Sequence, residues 1–170
     1  MTGVQTCALP ISRQKNGPVY LRLGKAGEPI LTQDAEPWAF GKLRRLRHGS
    51  DVAILSYGVI AKTACDLADR FAEHGKSASV FSCHTLKPLD REGIAAALRQ
   101  HEHVIVIEEH VPQGGLAPQT KQIAWDTQAR CRLDTFTLQD KFIHNNGRHG
   151  DMLAAHGLSL PIISRRVGLE

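Results

Sequence analysis

Short apolar runs alternate with amphipathic segments from Asp51 onward, and this alternation limits the possible folds more than any other feature. DVAILSYG (51–58) is apolar at consecutive positions and closes on glycine, which is typical of a strand buried on both faces. VIAKTACDLADRFAEHG (59–75) repeats apolar residues at helical spacing and ends at Gly75, a residue suited to a helix C-terminus. These two segments predict a strand followed by a helix.

The same pattern recurs along the rest of the chain. SASVFSCHTL (77–86) predicts a second strand, and Asp90 is placed to cap a second helix, REGIAAALRQHE (91–102). HVIVIEEH (103–110) predicts a third strand, and VPQGGLAPQTKQIAWDTQA (111–129) a third helix with Pro118 in its first turn.

CRLDTFTLQD (131–140) predicts a further strand, and short helices are expected over Gly150–His156 and Leu160–Val167. Strands that alternate with helices of this length form mostly parallel sheets covered on both faces. The prediction is therefore the α/β class: a three-layer α/β/α domain with a mostly parallel sheet of about five strands.

The part of the chain before Ser50 does not follow this pattern. GPVYLRLGK (17–25) predicts one isolated strand, Val19–Leu23, and a single strand requires partners. We expect residues 13–49 to be the last strand of a preceding domain plus a linker, and residues 50–170 to form the α/β domain. Residues 2–11 resemble a translated sequencing adapter, so residues 1–12 are expected to be a non-native leader.

Composition narrows the range of functions. No apolar stretch approaches the roughly 20 residues that span a bilayer, so a cytoplasmic protein without a membrane partner is expected. The net charge is +4, but the basic run at 42–48 lacks interleaved aromatic residues, which favours a solvated connecting segment over a nucleic-acid surface. Histidine and cysteine spacings predict no metal site.

Four cysteines are spaced without a CxxC pair, which argues against a zinc or redox site. Cys7 falls in the expected leader. Cys65, Cys83 and Cys131 lie in apolar surroundings and are predicted to be reduced, buried thiols.

Several stretches in one order resemble a known family. PVYLRLGK, GSDVAILSYG, HTLKPLD, VIEEHVPQGGLA and FIHNNGRHGDMLAAHGLS occur in the order and spacing of the C-terminal section of the transketolase family of thiamine-diphosphate enzymes. The smaller subunit of two-subunit transketolases is the most similar. Deoxyxylulose phosphate synthases and the β subunits of 2-oxoacid dehydrogenases share the domain and remain alternatives.

The resemblance implies where the chemistry lies. In this family the cofactor diphosphate and Mg²⁺ are held by an N-terminal domain, while a middle, pyrimidine-binding domain supplies the activating glutamate. We expect this chain to bind no cofactor or metal alone and to be inactive alone. Its expected partners are those two domains or subunits, in a homodimer or a heterotetramer that acts on a phosphorylated sugar.

Three residues are the candidate substrate contacts. His84 follows the second strand, at the edge where open α/β folds gather ligands, and the resemblance places a substrate contact there. Arg22 and Lys25 flank a glycine turn that the resemblance places near substrate phosphate. The alternatives are a structural His84, an Arg22 paired with a carboxylate of the preceding domain, and a solvated Lys25.

The paired carboxylates Glu108 and Glu109 are tempting catalysts. We instead expect one of them, with His110, to organise the turn into the helix after Gly114 and Gly115. The glycines match no nucleotide-binding pattern, so turn geometry and close packing explain them better.

The sequence therefore predicts the C-terminal fragment of a transketolase, which moves a two-carbon ketol unit between sugar phosphates. Its role would be domain assembly and substrate-entrance contacts. A free-standing, non-catalytic binding module remains the alternative outside enzymes.

Overall fold

The computed structural model describes residues 16–24, 27–32, 36–144 and 146–169. Five strands form one sheet in the order β1-β3-β2-β4-β5. Their bounds are Arg44–Arg47 (β1), Val52–Ser56 (β2), Ala78–Ser82 (β3), His103–Ile107 (β4) and Arg132–Phe136 (β5). The helices are Ala61–Glu73 (α1), Arg91–Gln100 (α2), Leu116–Asp126 (α3), His149–Ala155 (α4) and Leu160–Val167 (α5), and a short 3₁₀ turn, Gly58–Ile60, precedes α1.

Strands β2, β3, β4 and β5 run parallel to one another, whereas β1 runs antiparallel to its neighbour β3. In the centre of the sheet Ile54 lies between Val80 and Ile105. The predicted three-layer, mostly parallel α/β fold is confirmed.

Alternate residues of each strand enter two separate cores. On one face Ile54 and Ile105 pack with side chains of α1 and α5. On the other face Leu55 and Val106 pack with side chains of α2 and α3. Because period-two alternation sends neighbouring side chains to opposite faces, a continuous apolar run such as β2 fills both cores.

The segment predicted as the last strand of a preceding domain, Val19–Leu23, forms no strand within the described part of this chain. Residues 18–24 are described but form no strand, and Tyr20 is 89% exposed. A strand exists only through hydrogen bonds to a neighbour, and the described residues offer none to this segment.

The basic run at 42–48 was predicted to be a solvated connecting segment. That prediction is wrong, because Arg44–Arg47 forms β1. Leu46 enters the core while the Arg45 guanidinium lies over the Phe81 ring, at 5.1 Å from its centroid. Charged residues are common on edge strands, where they discourage pairing with other chains. The sheet thus starts ahead of Ser50, the expected start of the domain.

The predicted burial of the thiols holds for Cys65 and Cys83, whereas Cys131 is only partly buried. It follows α3 and directly precedes edge strand β5, so one side of it lacks a covering element. Cys7 lies outside the described residues. No helix within the described ranges combines the length and hydropathy needed to cross a membrane.

Candidate functional site

At the carboxyl edge of the sheet, the connections between strands switch from one face of the sheet to the other. The connection after β2 crosses one face as α1, whereas the connections after β3 and β4 cross the opposite face as α2 and α3. Ligands of open α/β sheets bind in the crevice that such a change of direction opens. The residues that follow β2, β3 and β4 are therefore those to examine.

Glu108 directly follows β4 and is completely buried. Its Oε2 accepts hydrogen bonds from the Leu116 amide at 2.7 Å and the Tyr57 hydroxyl at 3.1 Å, and its Oε1 accepts one from the Ala117 amide at 2.8 Å. These amides belong to the first turn of α3, where a negative charge is stabilised by the helix dipole.

The surroundings of Glu108 are equally specific. Gly115 lies so close that any Cβ there would collide with the Glu108 carboxylate. Burial, followed by the charge and hydrogen bond of Glu108, raises the pKa of Tyr57 well above its usual range. The carboxylate therefore ties together β2, β4 and α3, as expected for one member of the acidic pair.

His84 lies two residues beyond β3 and is half-buried. Its Nδ1 is 2.9 Å from the Thr85 hydroxyl, while its Nε2 is buried and finds no hydrogen-bond partner among the described residues. Burial, with a smaller contribution from the charge of Arg44, lowers the pKa of His84 below its ordinary value. The lowered pKa favours the neutral ring near pH 7, in which only one of the two nitrogens carries a hydrogen.

The linker before β1 covers this histidine. The Trp38 indole stacks on the His84 ring with centroids 4.9 Å apart and planes inclined by 23°. The same linker is fastened to α2, because Asp90 accepts hydrogen bonds from the Leu43 amide at 2.9 Å and from the Gly93 amide of the helix at 3.1 Å. The N-cap predicted at Asp90 is confirmed, and it also anchors the linker.

The other candidate contacts are less constrained. Arg22 is exposed, and its positive charge acts on Tyr57 at the end of β2. Among the described residues no hydrogen bond or ion pair joins Arg22 to His84. Lys25 lies outside the described residues.

The second acidic residue has a separate role. Glu109 Oε2 lies 3.1 Å from His149 Nε2, which connects the end of β4 to α4. His110 Nδ1 lies 2.9 Å from the Val111 carbonyl oxygen, and the His110 carbonyl accepts a hydrogen bond from the Leu138 amide at 2.9 Å. Glu108 thus makes the hydrogen bonds to the helix that were expected of one of the two carboxylates, and the His110 side chain bonds to Val111 instead.

Sequence reasoning missed Trp38, Thr85 and Tyr57. A lone tryptophan in a proline-bearing linker has no periodic pattern, and the contacts of all three residues depend on tertiary packing. Within the described ranges, no group of three or more His, Cys, Asp or Glu side chains is arranged to hold a metal ion.

A doubly wound α/β domain with a half-buried histidine and a buried carboxylate at its carboxyl edge defines only a broad class. The family described as "Transketolase, C-terminal domain" matches residues 41–163, and the chain belongs to that family. The predicted membership of the transketolase family is confirmed.

Individual relatives agree with this assignment. The 1-deoxy-D-xylulose-5-phosphate synthase of Syntrophotalea carbinolica is 33% identical over 94% of this chain, and that of Acaryochloris marina is 29% identical over 76%. A solved structure described as a split gene transketolase, an inactive β4 tetramer, superposes with a TM-score of 0.80 at 26% identity, over 94% of this chain and 51% of that one.

The transketolase of Campylobacter jejuni shares the fold, with a TM-score of 0.52 at 12% identity over 85% of this chain and 20% of that one. The chain spans 25% and 21% of the length of the two curated synthases named above.

Proposed function

We propose that this chain is the C-terminal part of a thiamine-diphosphate-dependent transketolase that transfers a two-carbon ketol unit between sugar phosphates. The observation that carries the proposal is His84, in a domain of the transketolase family, at the carboxyl end of β3 with an unpartnered, buried Nε2. The domain would support assembly and line the substrate entrance.

Three residues would contact the substrate in this proposal. His84 would bind a sugar hydroxyl or phosphate through Nε2, while Arg22 and Lys25 would supply positive charge to the phosphate. The exposure of Arg22 and the neutral state of His84 support a division in which charge comes from the linker and a directional hydrogen bond from the sheet edge.

The described residues do not fit the cofactor itself. Glu108 is completely buried, with two backbone amides and the Tyr57 hydroxyl bonded to its carboxylate, so this group is out of reach of an aminopyrimidine. Thiamine diphosphate and Mg²⁺ would instead be held by N-terminal diphosphate-binding and pyrimidine-binding domains or a partner subunit. Residues 13–49 would connect this chain to them.

The split gene transketolase supports a multi-subunit arrangement, because its description names a tetramer of β subunits that is inactive. By analogy, this chain would be inactive alone and would act in a homodimer or heterotetramer in the cytoplasm. Size measurement of the chain alone and mixed with its partner subunit tests this arrangement.

A second candidate is 1-deoxy-D-xylulose-5-phosphate synthase, because the curated relatives named above carry that name. His84 favours the transketolase, because the family resemblance implies histidine at this place in two-subunit transketolases and arginine in the synthases. Product analysis separates the two: the complete enzyme should transfer ketol units between sugar phosphates, and formation of 1-deoxy-D-xylulose 5-phosphate instead would establish the second candidate.

The experiment that tests the site is His84→Ala in the complete enzyme. We expect KM for the phosphorylated substrate to rise about tenfold with cofactor affinity unchanged, because one hydrogen bond to a charged group is lost. His74→Ala, which removes an exposed histidine at the end of α1, is the matched control and should leave KM unchanged. Unchanged kinetics for both variants would assign His84 a structural role.

A further inference from the structure

The hydrogen bonds around His84 have a direction that can be worked out. The Gly41 amide donates to Thr85 Oγ1 at 3.3 Å, and the same oxygen lies 2.9 Å from His84 Nδ1. A hydroxyl has one hydrogen to donate. Among the described residues, Nδ1 is the only acceptor that the Thr85 hydroxyl contacts, so the hydroxyl donates to Nδ1.

We propose that Thr85 is a positioning residue that holds His84 in the tautomer with its hydrogen on Nε2, so that the ring donates to an acceptor oxygen of the substrate. This inference rests on the proposed function, in which His84 contacts a phosphorylated sugar. The ligand class is an oxygen with lone pairs, either a phosphate oxygen or a sugar hydroxyl.

The opposite tautomer would use the same contacts poorly. If Nδ1 carried the hydrogen, the Thr85 hydroxyl hydrogen would have no acceptor among its described contacts. Nε2 would then accept rather than donate, and a fully ionised phosphate has no hydrogen to offer it. Only the ring with its hydrogen on Nε2 can donate a hydrogen bond both to a phosphate oxygen and to a sugar hydroxyl oxygen.

Two further contacts support a fixed, neutral ring. Trp38 stacks on the His84 ring and restricts its rotation. Burial and Arg44 lower the pKa of His84, so a single ring hydrogen is present near pH 7 and its position matters. The buried Nε2 finds no partner among the described residues, an unfavourable condition for a buried donor that a substrate oxygen would relieve.

The test is imidazole ¹⁵N NMR on the full chain above about pH 7.5, where a neutral ring dominates. His84→Gln identifies the His84 signals by their loss. We expect Nε2 to carry the hydrogen and Nδ1 to lack it.

Thr85→Val, which keeps the shape without the hydroxyl, should shift the ring to a mixture of tautomers, and Thr85→Ser should retain the wild-type state. Hydrogen on Nδ1 in the wild type, or an unchanged tautomer in Thr85→Val, overturns the proposal.

Kinetics of the complete enzyme separate this inference from the proposed function. Thr85→Val should raise KM for the phosphorylated substrate about two- to tenfold, and Thr85→Ser should stay near the wild type. An unchanged KM in His84→Ala overturns the substrate role even if the tautomer is as expected. A KM effect of His84→Ala together with hydrogen on Nδ1 overturns only the tautomer. If Thr85→Val fails to fold, the wild-type spectrum decides.

Discussion

Glu108 and His84 lie at the same edge of the sheet but use their hydrogen-bonding capacity differently. Glu108 is completely buried, and both of its oxygens accept hydrogen bonds from within the chain. His84 is half-buried, with one nitrogen engaged by Thr85 and the other without a partner.

This difference distinguishes the structural role of Glu108 from the binding role proposed for His84. A completely buried carboxylate that accepts hydrogen bonds from within the chain contributes to folding and is out of reach of a ligand. A buried nitrogen without a partner lowers stability, and a ligand that pairs with it would restore the loss. Substitutions at Glu108 should therefore change the free energy of unfolding, and substitutions at His84 should chiefly change substrate binding.

The largest effect is expected for Glu108→Ala. Two amides of α3 and the Tyr57 hydroxyl would lose their acceptor, so the free energy of unfolding should fall by roughly 3 kcal/mol or more, as measured by urea denaturation. Glu109→Ala is the matched control, because its partner His149 is 57% exposed, and it should cost less than about 1 kcal/mol. Equal losses at the two positions would contradict the structural role of Glu108.

Gly115→Ala tests the same group from the opposite side of the contact. The added Cβ would press on the Glu108 carboxylate, and overpacking of this kind costs about 1–3 kcal/mol. Gly150→Ala in α4 is the control, since a Cβ there meets nothing within 4 Å and alanine favours the helix. Thermal unfolding should show a lower Tm for the first variant only.

Tyr57→Phe removes one hydrogen bond and leaves the ring in place. We expect a loss of about 1 kcal/mol in the free energy of unfolding, because Glu108 keeps its two amide donors. The sharper measurement repeats the substitution in the Glu108→Ala background. There the loss should nearly vanish, and an undiminished loss would show that the hydroxyl acts elsewhere.

The sequence predicted the parallel sheet because β2 and β4 are continuous apolar runs, a pattern that depends only on local composition. It predicted the caps at Asp90 and Gly75 for the same reason. It missed β1, since four residues, three of them arginine, carry no recognisable strand period.

The candidate site was predictable only in part. Position after a strand was enough to select His84, whereas Glu108 and Glu109 were rejected as catalysts because the resemblance places the activating glutamate in another domain. The stacking of Trp38 on His84 joins residues from the linker and the sheet edge, and no spacing rule brings them together. Contacts of this kind follow from the path of the linker, which is fixed by Asp90 and its bond to the Leu43 amide.

The smallest effect expected is the dependence of stability on pH. Burial lowers the pKa of His84 in the folded chain, whereas the unfolded chain titrates near about 6.5. At pH values between the pKa of His84 in the folded chain and its pKa in the unfolded chain, the unfolded state binds more protons than the folded state. The free energy of unfolding should therefore fall as the pH is lowered from about 7 to about 5. Burial lowers the pKa of His103 too, and its contribution has the same sign.

Urea denaturation at several pH values, with His84→Gln and His103→Gln, separates the two contributions. Each variant should lose part of the wild-type slope, because glutamine does not titrate. If His84→Gln and the wild type give parallel profiles, protonation of His84 is not coupled to folding. The ring would then not be held neutral by its surroundings, and the comparison with Glu108 would rest on hydrogen bonding alone.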